Sequence, residues 1–469
     1  MQTVYNTYSL EKETFTPIQD GKVTMYLCGP TVYNYIHIGN ARSTVAFDTI
    51  RKYFEWRGLD VNFVSNFTDL GDKVINQGKK EGLTEEEVAD KYADAFLEDA
   101  AALNVEPATT RPRATQYMEE MVSFVEKLMA EGQAYEVNGD VYFKTNQFKN
   151  YATLSHQNMD ELKKNAAGRL EDDDQDEKHD PTDFALWKKE VRPDVTAWPS
   201  PWGPGRPGWH LECSVMIDEL LGDTIDIHAG GIDLAFPHHT NELAQSESYH
   251  DERFVNYWLH NGFVNVNDEK MSKSLGNFVT IHDLLEDDSI DPQGLRYFLT
   301  KTHYRRPVAY SRDRLDQAQA EMDKIYRTMR GLIAKADDNG DVDSDVEKQV
   351  LLLKERFVAA MDDDFNVENA LTVMFELITL GNKMLTSSAT ASTISRVKDE
   401  LASWLHIFGI DNFEEERELP KEAKAILEER KAAREEKDFA KSDELRDRLK
   451  EMGILVKDGR DGQSIEWSS

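Results

Sequence analysis

The chain has 469 residues, 40% of them hydrophobic and 30% charged, with two cysteines and a formal net charge of −33. That length exceeds what a single core supports and calls for about two to four domains. No run approaches the roughly 18 apolar residues of a membrane span, and the opening MQTVYNTYSLEKETF has neither the basic nor the apolar region of a secretory signal. Two widely separated cysteines make no disulfide framework, so a cytoplasmic protein is expected. The acidic balance argues against a broad polyanion-binding face. Residues 421–469 are close to neutral, so the excess acid lies upstream and any nucleic-acid surface must be local.

Val23 to Leu27 reads as a short apolar strand ending at Cys28, residues 41–57 as a helix with Val45, Phe47 and Ile50 inward, and Val61 to Val64 as a second strand. Strand, helix, strand implies a parallel pair with a crossover, the unit of doubly wound sheets. Residues 116–131 have the period of an amphipathic helix, and Gly139 to Phe143 that of a strand. The acidic run Glu171 to Glu177 reads as a solvated loop. Ala197 to Trp209 holds seven prolines and glycines in 13 positions, which predicts irregular backbone where an inserted module returns to its parent sheet.

Asp223 to His228 reads as a buried strand broken by Gly230 and Gly231, and Trp258 to Val266 as a further strand-like piece. From about residue 312 the pattern turns helical. Leu315, Ala318, Met322, Ile325, Met329 and Leu332 recur at three- and four-residue steps, as do Val346, Val350, Leu353 and Phe357, then Leu371, Met374, Phe375 and Ile378. Asp337 to Asp345 reads as a loop, and a small module begins near Glu415, with a helix pair and the short strands Ile454 to Val456 and Ser464 to Trp467.

Three sets of residues carry chemistry. His37-Ile38-Gly39-Asn40 follows a strand and opens a helix, whose N-terminus offers N–H groups and a positive dipole end to a phosphate. Lys270-Met271-Ser272-Lys273-Ser274, ending in Leu275-Gly276-Asn277, places two lysines three apart on a loop of small hydroxyl residues that can fold over a polyphosphate. Cys28, Cys213, His238 and Glu242 form a set of two sulfurs, one nitrogen and one oxygen that suits Zn²⁺. His238 and Glu242, four apart, share a helix face. His239, three before Glu242, can share it too, so spacing does not choose between the histidines.

The two nucleotide motifs resemble those of class I aminoacyl-tRNA synthetases, and the chain is similar to the cysteinyl-tRNA synthetase family over nearly its whole length. Matching segments include Cys28 to Arg42, Asn66 to Asp69, Asp183 to Lys188, Trp198 to Gly203, Trp209 to Ser214, Asp226 to Gly231, Phe236 to Glu242, Lys270 to Asn277, Arg296 to Leu299, His303 to Arg305 and Asp362 to Asn366. The resemblance implies an α/β fold: a class I Rossmann-type doubly wound parallel sheet with an inserted connective module, a C-terminal helical bundle and a small anticodon-recognition module. The expected boundaries are 1–115 and 206–269 for the halves of the catalytic domain, 116–205 for the insertion, 270–312 for the ATP loop and stem-contact region, 313–414 for the bundle and 415–469 for the last module.

It further implies Zn²⁺ on Cys28, Cys213, His238 and Glu242, favouring His238 over His239. Cysteine is expected near Thr68, Trp209, His228 and Asp233. ATP with Mg²⁺ is expected at Pro30, Thr31, His37, Gly39, Asn40, Gly230, Asp233 and Lys270 to Ser274. Within these, His37, Asn40, Lys270 and Lys273 are the expected catalytic residues. The implied function is a cysteine–tRNA ligase acting as a monomer on L-cysteine, ATP and tRNA(Cys), with no membrane partner. Two alternatives are a ligase passing cysteine to an amino sugar and a non-catalytic zinc- or RNA-binding paralogue. Asn40 stands where the general motif has its second histidine, a variant within the family, and Gly71 replaces an acidic residue common in relatives. The insertion is too short for an editing domain.

Overall fold

In the computed structural model, residues 1–158, 178–267, 269–270, 278–413, 421–435, 438–459 and 462–467 are described. The acidic run Glu171 to Glu177 and the loop residues Met271, Ser272, Lys273 and Ser274 lie outside them. An antiparallel hairpin, β1 (Thr3–Asn6) and β2 (Glu11–Thr14), precedes the first crossover. That crossover runs β3 (Lys22–Leu27), α1 (Ile38–Trp56), β4 (Asp60–Ser65), and the two strands pair in parallel. Val23, Met25, Tyr26 and Leu27 are all buried, as a strand covered on both faces requires. Helix α1 starts three residues earlier than its apolar period suggested, because His37 caps it.

Helices α2 (Asp72–Glu81) and α3 (Glu85–Ala102) lead to the insertion. Its α4 (Met118–Ala130) packs near a four-stranded antiparallel sheet of β5 (Ala134–Val137), β6 (Asp140–Phe143), β7 (Phe184–Lys189) and β8 (Gly205–Pro207). Strand β8 corrects the expectation of a wholly irregular connector. Gly205 and Pro207 pair with Lys189 and Trp187 at the sheet edge, where proline's missing N–H is tolerated.

The chain then re-enters the parallel sheet through α5 (Trp209–Leu221), β9 (Ile225–Gly231), α6 (Thr240–His250) and β10 (Val255–Asn261). Strand order is β10-β9-β3-β4, all parallel. Gly230 and Gly231 do not break β9; both pair with β10, opposite His260 and Asn261. The piece from Trp258 to Val266 is two strands in two sheets. Gly262 bends the chain there, where a Cβ would come within 2.6 Å of the Arg306 backbone. Beyond it, β11 (Val264–Val266) lies between β12 (Glu269–Lys270) and β13 (Val308–Tyr310), with α7 (Ile281–Leu285) and α8 (Pro292–Thr300) in the connection.

Four long helices follow: α9 (Arg312–Lys335), α10 (Ser344–Asp362), α11 (Val367–Thr386) and α12 (Ala391–Ile407). Their apolar faces merge with the α1 side of the sheet in one continuous core. A separate small core holds α13 (Lys421–Glu435), α14 (Phe439–Glu451) and the hairpin β14 (Ile454–Gly459), β15 (Gly462–Trp467). Among the described residues, no helix is long and apolar enough to cross a membrane.

Buried polar contacts lock the bundle to the sheet. Arg296 Nη2 donates to Asp48 Oδ2 of α1 at 2.6 Å, and its Nε to the Phe408 carbonyl at 3.0 Å. Asp364 accepts from the Tyr5 N–H, Tyr304 Oη and Arg305 Nε at 2.8, 2.8 and 2.7 Å. Removing one partner strands the other in the core, so Arg296→Met should cost roughly 3 kcal/mol, read as a lower urea midpoint than wild type.

Candidate functional site

The chain moves outward from β3 to β4 on one side and from β9 to β10 on the other. The crevice at the carboxyl ends of β3 and β9 is therefore a topological switch point, where ligands bind in open α/β sheets. The Cys28 N–H donates to the Ala229 carbonyl at 3.1 Å, fastening the end of β3 to β9. Gly29 follows because a Cβ there would collide with the Asn66 carbonyl, and its N–H donates to Asn66 Oδ1 at 2.8 Å.

Cys28, Cys213 and Glu242 converge in this crevice with His238, their ligand atoms all within 4.8 Å of one another. The two Sγ atoms are 3.8 Å apart, well beyond a disulfide bond, and both cysteines are free. His238 Nε2 lies 2.9 Å from Glu242 Oε1, and His228 Nε2 2.8 Å from Oε2. His238 belongs to a π-turn, Ala235–His239, that runs into α6, so the expected four-residue spacing operates across the entry to the helix. Cys28, His228, His239 and Glu242 also meet within 4.8 Å, and the geometry by itself leaves both histidines beside the cysteines. The donor types fit a zinc-like cation in either set.

Burial and the neighbouring groups set the charges. Cys213 is lowered to about 6 by the hydrogen bond from Cys28, against the effect of burial. Burial, together with Cys213 and Glu242, pushes Cys28 well above the usual thiol range. Burial would raise Glu242, but His228 and His238 bring it down to about 2. Burial likewise opposes charge on His238, which Glu242 and Cys213 nevertheless hold up at about 10.

A hydrogen-bonded layer lies behind the donors: His210 Nδ1 is 2.9 Å from His238 Nδ1, and His239 Nδ1 2.8 Å from His260 Nε2. His260 Nδ1 in turn reaches Thr7 Oγ1 at 2.8 Å. Trp209, partly exposed, stacks on His238 at 4.2 Å, and Trp258 on His228 at 4.7 Å. His210 and His260 carry no role in the sequence reading, and His239 stands there only as the alternative to His238. His260 did leave a signal, a buried-strand position occupied by a polar ring.

Next to the donor cluster is a cleft of about 130 Å³ lined by Pro30, Thr31, Tyr33 to His37, Asn40, Lys73 and Phe278. Here the structure refines the helix-end argument. His37 Nδ1 accepts the N–H groups of Gly39 and Asn40 at 3.1 and 3.2 Å, so two of the donors expected to face phosphate are already used. The ring proton is therefore on Nε2, which makes that atom a donor. Asn40 Oδ1 completes the capping box by accepting the His37 N–H at 3.4 Å, a role its amide oxygen can fill. Strand pairing of His37 with Thr280 and the Ile38 N–H bond to the Val279 carbonyl tie this helix start to the chain just after the lysine loop.

Thr68 connects the chain at the cleft to α5, its hydroxyl lying 3.0 Å from Glu212 Oε2. Its N–H donates to Pro30 O at 3.2 Å and its carbonyl accepts from Val32 N–H at 3.0 Å. Gly230 makes room for the His239 ring, which a Cβ would approach to 2.8 Å, and Asp233 sits exposed on the turn Ile232–Leu234. Lys270 ends β12, at the edge of the residues described. Lys73, in the first turn of α2 over the Tyr33 ring at 5.5 Å, is a cleft cation that went unassigned in the sequence. Its helix is preceded by Gly71 at φ 108°, a backbone setting that favours glycine.

Residues 14–320 match the model of the class I (C) tRNA synthetase catalytic domain, 356–413 that of the DALR domain and 416–465 that of the cysteinyl-tRNA ligase anticodon binding domain. A cysteine–tRNA ligase of Leuconostoc citreum is 52% identical over 98% of both chains, and one of Oenococcus oeni 51% over 99% of both. The chain belongs to the cysteinyl-tRNA synthetase family. Solved class I structures share the family's fold at low identity. Mycobacterium tuberculosis methionyl-tRNA synthetase with methionyl-adenylate superposes with a TM-score of 0.58 at 17% identity, covering 83% of this chain and 90% of its own. The LeuRS of an Agrobacterium radiobacter K84 ternary complex with tRNA and LeuAMS gives 0.60 at 10%, covering 84% and 85%.

Burial pushes the Cys28 thiol up, and Glu242 and Cys213 hold His238 up against burial, so a cation bound at the cluster would displace protons from these two groups. Calorimetric titration of Zn²⁺ in buffers of different ionisation enthalpy should therefore show release of roughly two protons, with affinity rising between pH 6 and 8.

Proposed function

We propose that the protein is a cytoplasmic, monomeric enzyme that charges tRNA(Cys) with L-cysteine at the expense of ATP. The observation that carries this reading is a sulfur-rich donor cluster beside a nucleotide-type cleft, joined by Thr68 on one sheet edge. The match of residues 416–465 to an anticodon-binding domain supports tRNA over an amino sugar as acceptor.

The carboxylate of cysteine is ionised at neutral pH and needs no base. Its oxygen bonds to the α-phosphorus of ATP, the bond to pyrophosphate breaks, and cysteinyl-adenylate results. ATP brings Mg²⁺ on its own phosphates. Catalysis is then positioning and charge stabilisation of the in-line transfer. His37 Nε2–H donates to phosphate oxygens from a ring locked by its own helix cap, with Asn40 completing that cap. Lys270 and Lys273 supply positive charge to the departing pyrophosphate, and Lys73 adds a third cation at the cleft. A terminal ribose hydroxyl of tRNA then attacks the adenylate carbonyl, loses its proton and releases AMP.

The proposed metal ligands are Cys28, Cys213, His238 and Glu242, the set that includes the second thiolate. Zinc bound there would supply a soft Lewis acid that prefers a thiolate to a hydroxyl. Glu242 is shared between His238 and His228, so it can loosen from the set without losing a charge partner. The aromatic face of Trp209 covers His238 from the solvent side.

Given total tRNA, ATP and either amino acid, the protein should attach cysteine to tRNA and prefer it to serine by more than the roughly hundredfold that shape alone provides. Cys213→Ser should abolish charging. Equal use of serine would remove the metal's role, and transfer to an amino sugar without tRNA charging would replace this reading with the ligase alternative.

A further inference from the structure

Lys73 lines the nucleotide cleft without a carboxylate of its own. Among the described residues its ammonium meets only the Tyr33 ring, at 5.5 Å. The helix that carries it, α2, is lightly anchored. Of its ten residues only Val74, Ile75 and Gly78 are buried, and no side chain caps its start. Gly71 and Gly82 flank it at φ 108° and 73°. Contacts made by the helix's own side chains must therefore fix where Lys73 stands.

Those contacts differ at the two ends. At the C-terminal end the partner is α3: Lys91 Nζ donates to Glu81 at 2.7 Å, and Gln77 Nε2 to Tyr92 Oη at 3.3 Å. At the N-terminal end the partner is the inserted module. Asp72 Oδ1 accepts from Arg192 Nη2 at 3.0 Å and from Arg206 Nη2 at 3.1 Å. Both arginines are held in turn by Glu190, a buried carboxylate just past β7. Arg192 donates to it through Nε at 2.8 Å and Nη2 at 2.7 Å, and Arg206 Nε lies 3.1 Å from its Oε2.

Two guanidiniums and Glu190 leave one positive charge over, and Asp72 balances it. Arg206 belongs to β8 and its side chain is only 12% exposed, so the group that meets Asp72 is seated in the antiparallel sheet. Asp72 does not itself line the cleft. Resting on the ATP-dependent reading above, we propose that Asp72 is a positioning residue: through it the inserted module holds the first turn of α2 and sets Lys73 against the phosphates of ATP.

Calorimetric titration of the full-length protein with ATP and Mg²⁺ tests this, with adenosine, which lacks the phosphates, as a competing ligand. Asp72→Ala should weaken ATP roughly fivefold and leave adenosine binding, the zinc content and the KM for cysteine unchanged. Direct Coulomb attraction predicts the opposite sign, because removing a negative charge beside the cleft would tighten a polyphosphate. Arg192→Ala, which leaves Arg206 on Asp72, should weaken ATP about twofold. Asp72→Asn keeps an acceptor for the arginines and should recover part of the loss. In a Lys73→Ala background, Asp72→Ala should cost nothing further, because both act on one contact. Unchanged or tightened ATP in Asp72→Ala, an equal weakening of adenosine, or full additivity with Lys73→Ala would overturn the proposal. If Asp72→Ala does not fold, Asp72→Asn with and without Lys73→Ala decides the same question. A wild type that binds ATP but shows no cysteine-dependent pyrophosphate exchange would instead overturn the functional reading, with the binding test still in force.

Discussion

Strand β9 returns to the sheet beside β3 after the whole inserted module, in the register Met25↔Ile227, Tyr26↔His228 and Leu27↔Ala229. That pairing decides where the functional side chains lie. It ends with the Cys28 N–H on the Ala229 carbonyl, bringing a cysteine from the first half of the fold against the histidine-bearing turn and α6 of the second. Neither half holds a complete donor set alone: Cys28 comes from one, Cys213, His238 and Glu242 from the other. The cleft, by contrast, is built almost wholly from the first half and closed by Phe278. Folding of the two halves onto one sheet is thus also assembly of the site.

Once the register is set, rigidity comes from hydrogen bonds behind the donors. His210 holds His238, His260 holds His239, and Thr7 at the end of the N-terminal hairpin holds His260. Such outer partners fix ring orientation and tautomer, which is what a ligand imidazole requires. His37 is locked by a different device, the N–H groups of the helix that it caps. The helical bundle is joined to the same frame through Asp48, Arg296 and Asp364, so the module near the anticodon-binding match and the sheet share a continuous core up to α12.

Much of this was legible in the sequence. Apolar runs marked β3, β4 and β9, and three- and four-residue steps marked α9, α10 and α11, because burial imposes those periods directly. The four donors were legible from residue type and from the family resemblance, and they do converge. What escaped had specific causes. The start of α1 depends on a histidine cap that hydrophobic period does not register. Strand β8 is an edge strand, where proline and glycine are tolerated and the usual breaker signals mislead. Two glycines in β9 read as a break, yet one clears the His239 ring. The contact between Thr68 and Glu212 escaped because the two residues lie on either side of the insertion.

The account stands on one amino acid spanning the donor cluster and the nucleotide cleft. Zinc K-edge absorption spectroscopy on the metal-loaded protein tests this most directly. The proposed ligand set predicts two sulfur neighbours, from Cys28 and Cys213, in the absence of substrate. Adding cysteine should bring one more sulfur to the metal, while serine should leave the spectrum unchanged. A sulfur count that does not respond to cysteine would contradict the account.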